Sequence, residues 1–494
     1  MKKQALNPYL PFWETVPDAE PHVFRDRVYV YGSHDSLGGS GYCVGDYVSY
    51  SAPVDDLGNW RYEGVIYKKA QDPINGAPYY RDIPEFDGGL LPAGAIHDLY
   101  APDVCQGRDG KYYLYYALDF CNIISVAVAD SPAGPFEFLD YVLREDGSRP
   151  EIGRYFDPAI YVDEKANYLY YGFSPMFKFP GMEELENPGG LMVRLADDMH
   201  TIISEPVRTA LGPETSQGTP FEKNPMLEAS SLRKIGEKYY FVYSSIYNHN
   251  LCYCMADSPE GPFEYKGTII SNGDLELNGN TLPVNYIGNN HGGLEVIGDK
   301  VYIFWHRQTH GTEFSRQGCA EEVHINADGT IDQVAVTSCG LNGGPLKGKG
   351  SYETYIACHI TGADRSKVGK VLNPGPYATE ELVIPEDVPY ITEEACSGAD
   401  HDLKPYITNL YTGAVCGFKY FEFSGCQQIE LELRGKGQVA ILVDGCDGKQ
   451  VGQAAADSDT WTTVNCMVEI EDGCHSLYFK TLDGKVDFAK FTML

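Results

Sequence analysis

The sequence predicts an all-β protein, a five-bladed β-propeller followed by a jelly-roll-like β-sandwich. A tyrosine-rich phrase recurs five times, turn chemistry punctuates short strands throughout, and the composition shifts two thirds of the way along. The phrase is a basic or amide residue followed by a short aromatic strand. Its copies are Arg27-Val28-Tyr29-Val30-Tyr31, Lys111-Tyr112-Tyr113-Leu114-Tyr115, Asn167-Tyr168-Leu169-Tyr170-Tyr171, Lys238-Tyr239-Tyr240-Phe241-Val242 and Lys300-Val301-Tyr302-Ile303-Phe304. A turn residue precedes most copies, and the distances between them leave room for about four strands each. A second echo, Ala129-Asp130-Ser131-Pro132 and Ala256-Asp257-Ser258-Pro259, each running on to Gly-Pro-Phe-Glu, supports a repeated unit.

The chain has 494 residues and 43% hydrophobic content, enough for two or three cores and without an apolar run long enough to span a bilayer. A net charge of −32 repels phosphate backbones and anionic lipid, so neither nucleic acid nor membrane is an expected partner, whereas a neutral sugar is not repelled. The opening Met1-Lys2-Lys3-Gln4-Ala5-Leu6 has no apolar stretch after its lysines, so a cytoplasmic location is expected. With no C-x-x-C pair, the 14 cysteines read as buried reduced thiols.

Reading upstream of each repeat is more informative. Asp18, Asp103, Asp157, Glu228 and His291 each stand eight to ten residues before a copy, at the start of a predicted innermost strand. Equivalent blade positions face the same way, so four carboxylates and one imidazole converge on the axis. Crowded acids raise one another's pKa values and must divide into acid and base roles or share a cation. Glycosidic cleavage asks for that division: a protonated acid for the leaving oxygen and a carboxylate for water or attack.

At these residues the sequence resembles glycoside hydrolase family 43, over about residues 7–336. The matching stretches are Asn7-Pro8-Tyr9-Leu10-Pro11 with Pro17-Asp18, Tyr31-Gly32-Ser33-His34-Asp35, Tyr100-Ala101-Pro102-Asp103-Val104, Phe156-Asp157-Pro158, Leu227-Glu228-Ala229-Ser230-Ser231 and Asn290-His291-Gly292. The resemblance implies an inverting enzyme that needs no cofactor for its chemistry. Asp18 would be the general base, Glu228 the general acid, and Asp157 the carboxylate that raises and orients Glu228. It also implies that His291 holds a hydrated axial cation, often calcium. Asp103 either lines the pocket or serves structure. Arg316 is the candidate for sugar hydroxyls, ahead of Arg307, with a surface ion pair as the alternative. Trp13 and Phe12 either stack on a sugar or pack in the core, and Trp60 is expected to pack between blades.

The implied function is an exo-glycosidase acting on hemicellulose-derived oligosaccharides. An α-L-arabinofuranosidase releasing arabinose from arabinoxylo-oligosaccharides stands first, a β-D-xylosidase second, and a non-catalytic sugar-binding propeller is the alternative from another class. The propeller is expected over residues 1–347, a connecting segment over 348–389, and the sandwich over 390–494. That last part resembles carbohydrate-binding module family 6 through Gly417-Phe418-Lys419-Tyr420-Phe421, Trp461-Thr462-Thr463-Val464 and Val486-Asp487-Phe488. The resemblance implies Glu394 and Asp487 as ligands of a structural calcium. Trp461 is the only tryptophan there, so a docking or stabilising domain is expected over an active sugar binder.

Overall fold

A computed structural model describes residues 2–76, 96–176, 185–368, 386–397, 399 and 401–494. Four blades are four-stranded antiparallel meanders: β1–β4 (Glu20–Phe24, Arg27–Tyr31, Tyr47–Pro53, Arg61–Tyr67), β5–β8 (Leu99–Gln106, Tyr112–Leu118, Ile124–Ala129, Glu137–Tyr141), β9–β12 (Ala159–Val162, Asn167–Tyr171, Gly189–Leu195, Val207–Leu211) and β13–β16 (Met226–Ile235, Lys238–Ser245, Leu251–Ala256, Glu264–Ile270). The fifth has three strands, β17–β19 (Leu294–Ile297, Lys300–Gln308, Arg316–Val323). Every recurring aromatic phrase falls on the second strand of its blade. The Ser-Pro echoes turn from third to fourth strand in the second and fourth blades. There, Tyr31 and Tyr170 hydroxyls from the preceding blades donate to Pro132 O (2.7 Å) and Pro259 O (2.6 Å).

The tyrosines are abundant because each blade buries both faces. Five apolar clusters lie between neighbouring blades, the last joining blade five to blade one through Phe304, Tyr302, Val28 and Val30. The innermost strands pack in a closed ring, β1 on β5, then β9, β13 and β17, and back to β1. The chain's beginning seals the ring: Tyr9 N–H donates to Gly318 O (3.3 Å), and the Asn7 side chain donates to Ala320 O (2.9 Å) and Thr337 O (3.0 Å).

The C-terminal unit is built from β20 (Leu346–Lys347), β21 (Gly350–Glu353), β22 (His359–Thr361), β23 (Tyr390–Ala395), β24 (Leu403–Tyr411), β25 (Val415–Phe423), β26 (Gln428–Val443), β27 (Lys449–Met467) and β28 (Gly473–Met493). Phe418, Phe421, Phe479, Phe488 and Phe491 fill its core. Residues 428–443 form one bent strand, β26, because bulges let it turn without breaking its ladder to β28. The expected connection over 348–389 is corrected at its start. Residues 350–353 pair with β28, and 359–361 with β25, so they belong to the sandwich. Asn373-Pro374-Gly375-Pro376-Tyr377 lies outside the described residues.

The two units share a continuous contact. Lys419 pairs with Asp274 (2.9 Å), Ile360 N–H donates to Val284 O (2.8 Å), and the buried Arg307 guanidinium donates to Ala357 O (2.8 Å) and Tyr355 O. The 14 cysteines form no disulfide among the described residues, and most are buried.

Candidate active site

Four of the five axial residues gather at one end of the propeller. Asp18 immediately precedes the Ala19 bridge to Gly292, Asp157 precedes β9, and Glu228 sits at a bulge in β13. Asp18 (φ 56°), Asp157 (φ 47°) and Ala229 (φ 68°) have left-handed backbone, unusual outside glycine. Such conformations persist where surrounding structure holds them, and they turn these side chains off the regular alternation of a strand. Gly32 permits the approach, since a Cβ there would lie 2.1 Å from Pro17 O.

Asp18 is buried and engaged by Arg316, whose Nη1 donates to Oδ1 at 3.0 Å. Burial, the largest single influence, pushes its carboxyl up, but Arg316 and smaller neighbouring contributions, His291 and the Ser33 hydroxyl among them, together hold it below the usual range. Arg316 is itself fixed by Asp35, through Nε to Oδ2 (2.8 Å) and Nη2 to Oδ1 (2.9 Å), and its guanidinium lies 5.1 Å from the Tyr42 ring centroid. The surface ion pair expected as the alternative for Arg316 is instead a buried one, since the residue is 2% exposed and held by two carboxylates. His306 lies 3.3 Å from Asp18 Oδ1 but forms no ion pair. Its Nδ1 accepts the Asp18 N–H (3.2 Å), its Nε2 donates to Asn289 O (2.6 Å), and burial pushes the imidazole down to about 3.

Asp157 accepts the Ala229 N–H at 2.9 Å and lies 3.5 Å from His291 Nδ1. Burial pushes Asp157 upward, and His291 opposes this. Glu228, next to that amide, is only partly buried, and its carboxyl takes no hydrogen bond among the described residues. Burial first, then Asp157 and Asp18, raise it to about 8. One end of the axis thus holds an ionised acid beside a neutral one.

Asp103 is corrected. It lies in the middle of β5 rather than at its start, and is fully buried. Oδ1 meets His22 Nε2 at 2.6 Å, and Oδ2 accepts the Ile160 N–H at 2.8 Å. It joins three blades and does not line a pocket. Phe12 is also corrected: it belongs to the sandwich core, 5.3 Å from Tyr355. Trp13 remains 39% exposed, stacked 5.2 Å from His401. Trp60 packs on Tyr9 at 5.0 Å as expected.

An axial calcium at His291 would have to sit among the groups that surround this ring. Its Nε2 faces Glu20 Oε1 at 3.7 Å, and neither atom has a hydrogen-bond partner among the described residues. Burial opposes charge on the ring, but Asp157 and Glu20 raise it well above the usual imidazole range. Glu20 Oε2 accepts from Arg233 (3.0 Å) and Ser231 (3.0 Å), and Arg233 also donates to Pro21 O (2.7 Å) and lies 3.4 Å from Glu295. Glu20, His22 and Asp103 cluster closely enough for a shared ion, but this guanidinium, 3.1 Å from His22 Nε2, already supplies their positive charge. Gly293 leaves the room: a Cβ there would meet Glu20 Oε2 at 2.7 Å. The residues do not fit calcium here. Nor do they in the sandwich, where Glu394 (2.8 Å) and Asp487 (2.8 Å) both grip Arg434. Arg434 lies 4.4 Å from the Trp461 ring centroid, so that ring is covered by a cation.

Sequence reasoning missed Glu20, Arg233, Asp35 and His306. Asp35 was visible in Gly32-Ser33-His34-Asp35, but Arg233 sits five residues past Glu228, and only the strand direction reveals that it reaches the axis.

Residues 25–331 match the model of glycosyl hydrolases family 43. This chain belongs to that family. It is 41% identical to a xylosidase/arabinosidase of Thermoclostridium stercorarium, over 100% of this chain and 99% of the relative. It is 30% identical to a xylosidase/arabinosidase of Bacteroides ovatus, over 65% and 96%. Among solved structures, a family 43 β-xylosidase/α-arabinofuranosidase from a compost microbial metagenome, in a calcium-free complex with xylotriose, is 27% identical with a TM-score of 0.50, covering 67% of this chain and 98% of the other. A Bacillus subtilis arabinoxylan arabinofuranohydrolase shares the fold along 99% of both chains, with a TM-score of 0.50 at 21% identity. The chain is therefore a glycoside hydrolase.

Proposed function

We propose that this enzyme is an inverting exo-glycosidase that removes terminal α-L-arabinofuranosyl groups from arabinoxylo-oligosaccharides. Glu228 carries the reading: a carboxyl without a hydrogen-bond partner among the described residues, raised to about 8, beside the low-pKa Asp18. Asp18 takes a proton from water while the water oxygen bonds to the anomeric carbon. The glycosidic C–O bond breaks, and Glu228 gives its proton to the departing oxygen. Asp157 holds the Ala229 amide and keeps Glu228 protonated by its charge. Burial and the nearby acids oppose ionisation of Glu228, whereas Arg316 favours ionisation of Asp18, which divides the roles.

A second reading, release of β-D-xylosyl groups, is favoured by the full-length relative, whose name carries both activities. Hydrolysis of 4-nitrophenyl α-L-arabinofuranoside and β-D-xylopyranoside tests both. The ratio of specificity constants ranks them, chromatography of products from arabinoxylo-oligosaccharides tests exo action, and proton NMR of the first-formed anomer tests inversion. No turnover on any pentoside or oligosaccharide favours a sugar-binding propeller instead. The arginines in the expected calcium positions support a metal-independent enzyme.

A further inference from the structure

We propose that Glu393, on β23 of the sandwich, is a positioning residue for the reaction, acting through His310 on the loop that delivers Arg316 to Asp18. The inference rests on the base assignment above and adds a role for the C-terminal unit. The loop over residues 309–315 joins β18 to β19. His306, near the end of β18, accepts the Asp18 N–H, and Arg316, the first residue of β19, holds its carboxylate. Movement of this loop therefore bears on the base at Arg316.

His310 is where the sandwich takes hold. Its N–H donates to Ile391 O at 2.8 Å, and its Nε2 donates to Glu393 Oε2 at 2.6 Å. Nδ1 is then left to accept, and the Thr309 and Ser315 hydroxyls lie 3.0 and 3.2 Å away. Thr309 N–H closes the loop onto Ser315 O (2.9 Å), and Ser315 Oγ accepts the Gly38 N–H (2.9 Å). The next residue is Arg316. Phe314, on the same loop, packs edge-on against Tyr42 at 4.6 Å, and Tyr42 covers the Arg316 guanidinium. One carboxylate of the C-terminal unit thus orients an imidazole that orders both ends of the loop. The Lys419–Asp274 pair and the Ile360–Val284 bond join the two units elsewhere, so attachment does not depend on Glu393.

The test is kinetic, on the full chain, with Glu393→Ala, Glu393→Gln and Lys419→Met. Glu393→Ala is expected to lower kcat about tenfold with KM within about twofold. It also moves the acidic limb of the pH profile upward, because a displaced Arg316 no longer holds Asp18 down. Glu393→Gln keeps an oxygen to accept the His310 N–H and restores most of kcat. Lys419→Met lowers the thermal midpoint while leaving kcat and the pH profile unchanged. If Glu393→Ala behaves like Lys419→Met, the positioning role is overturned. If Asp18→Asn keeps wild-type activity, the base assignment fails separately, whatever Glu393 does.

Discussion

The mouth of the propeller and the Arg434 cluster of the sandwich are built from similar parts, carboxylates around a buried or half-buried arginine with an aromatic ring over it. They differ in what is left unpaired. In the sandwich, Glu394 and Asp487 share Arg434, the Trp461 N–H adds a donor to Glu394, and the Thr408 hydroxyl donates to Asp487 at 2.8 Å. Burial raises Glu394, but Trp461 and Arg434 bring it below the usual range. Every acid there is answered. At the mouth, Arg316 is taken up by Asp18 and Asp35, Asp157 has His291, and Glu228 has no such partner among the described residues. Glu321 sharpens the contrast. Burial raises it to about 8 as well, yet it accepts from Asn7, the Thr337 N–H and the Thr337 hydroxyl, and so cannot readily move a proton to a ligand. A raised pKa marks burial; a raised pKa without a partner marks a site.

The largest effect that tests this contrast is chemical. Glu228→Gln is expected to lower kcat about 10³-fold without loss of thermal midpoint, since proton transfer from a positioned group supplies roughly 10²–10⁴-fold. Wild-type turnover by that variant would remove the acid from the scheme. Arg316→Met comes next. It leaves Asp18 and Asp35 buried without their cation, which costs about 3–5 kcal/mol in a urea unfolding series and raises the acidic limb of kcat/KM.

The pH profile itself follows from the signs. Activity needs Glu228 protonated, so it falls as pH rises through about 8. It needs Asp18 ionised, so it falls only at pH below the ordinary carboxylate range. Asp157→Asn removes a charge that raises Glu228, and the alkaline limb should move down; an unmoved limb would separate Asp157 from Glu228. A smaller effect is expected in the sandwich, where Arg434→Met costs about 1 kcal/mol of stability and leaves kcat unchanged. Smallest of all is the response to calcium. Chelator treatment or added calcium should change neither rate nor thermal midpoint, and a calcium-dependent midpoint would show that a metal competes with the arginines.

The repeat was legible because blades are periodic: five aromatic phrases in the sequence became five second strands. The acids before them were legible for the same reason, and the family resemblance supplied their roles. What escaped was spacing within a blade. Asp103 stands eight residues before its repeat, as Asp18 stands nine before its own, yet β5 begins earlier and carries Asp103 into the interior. Phe12 escaped because its partner, Tyr355, is more than three hundred residues away and in another unit. The arginines escaped because sequence shows which acids gather, but not whether a side chain from a neighbouring strand already neutralises them.

Closing the ring through Asn7 and Tyr9 has a consequence for how the chain matures during synthesis. The first blade is made early, but the residues that seal it, Gly318, Ala320 and Thr337, leave the ribosome last among the propeller's parts. Asp18 meets Arg316 only then. Until the fifth blade arrives, a half-made propeller has its catalytic base without the cation that keeps it ionised, so hydrolytic competence comes with completion of the circle.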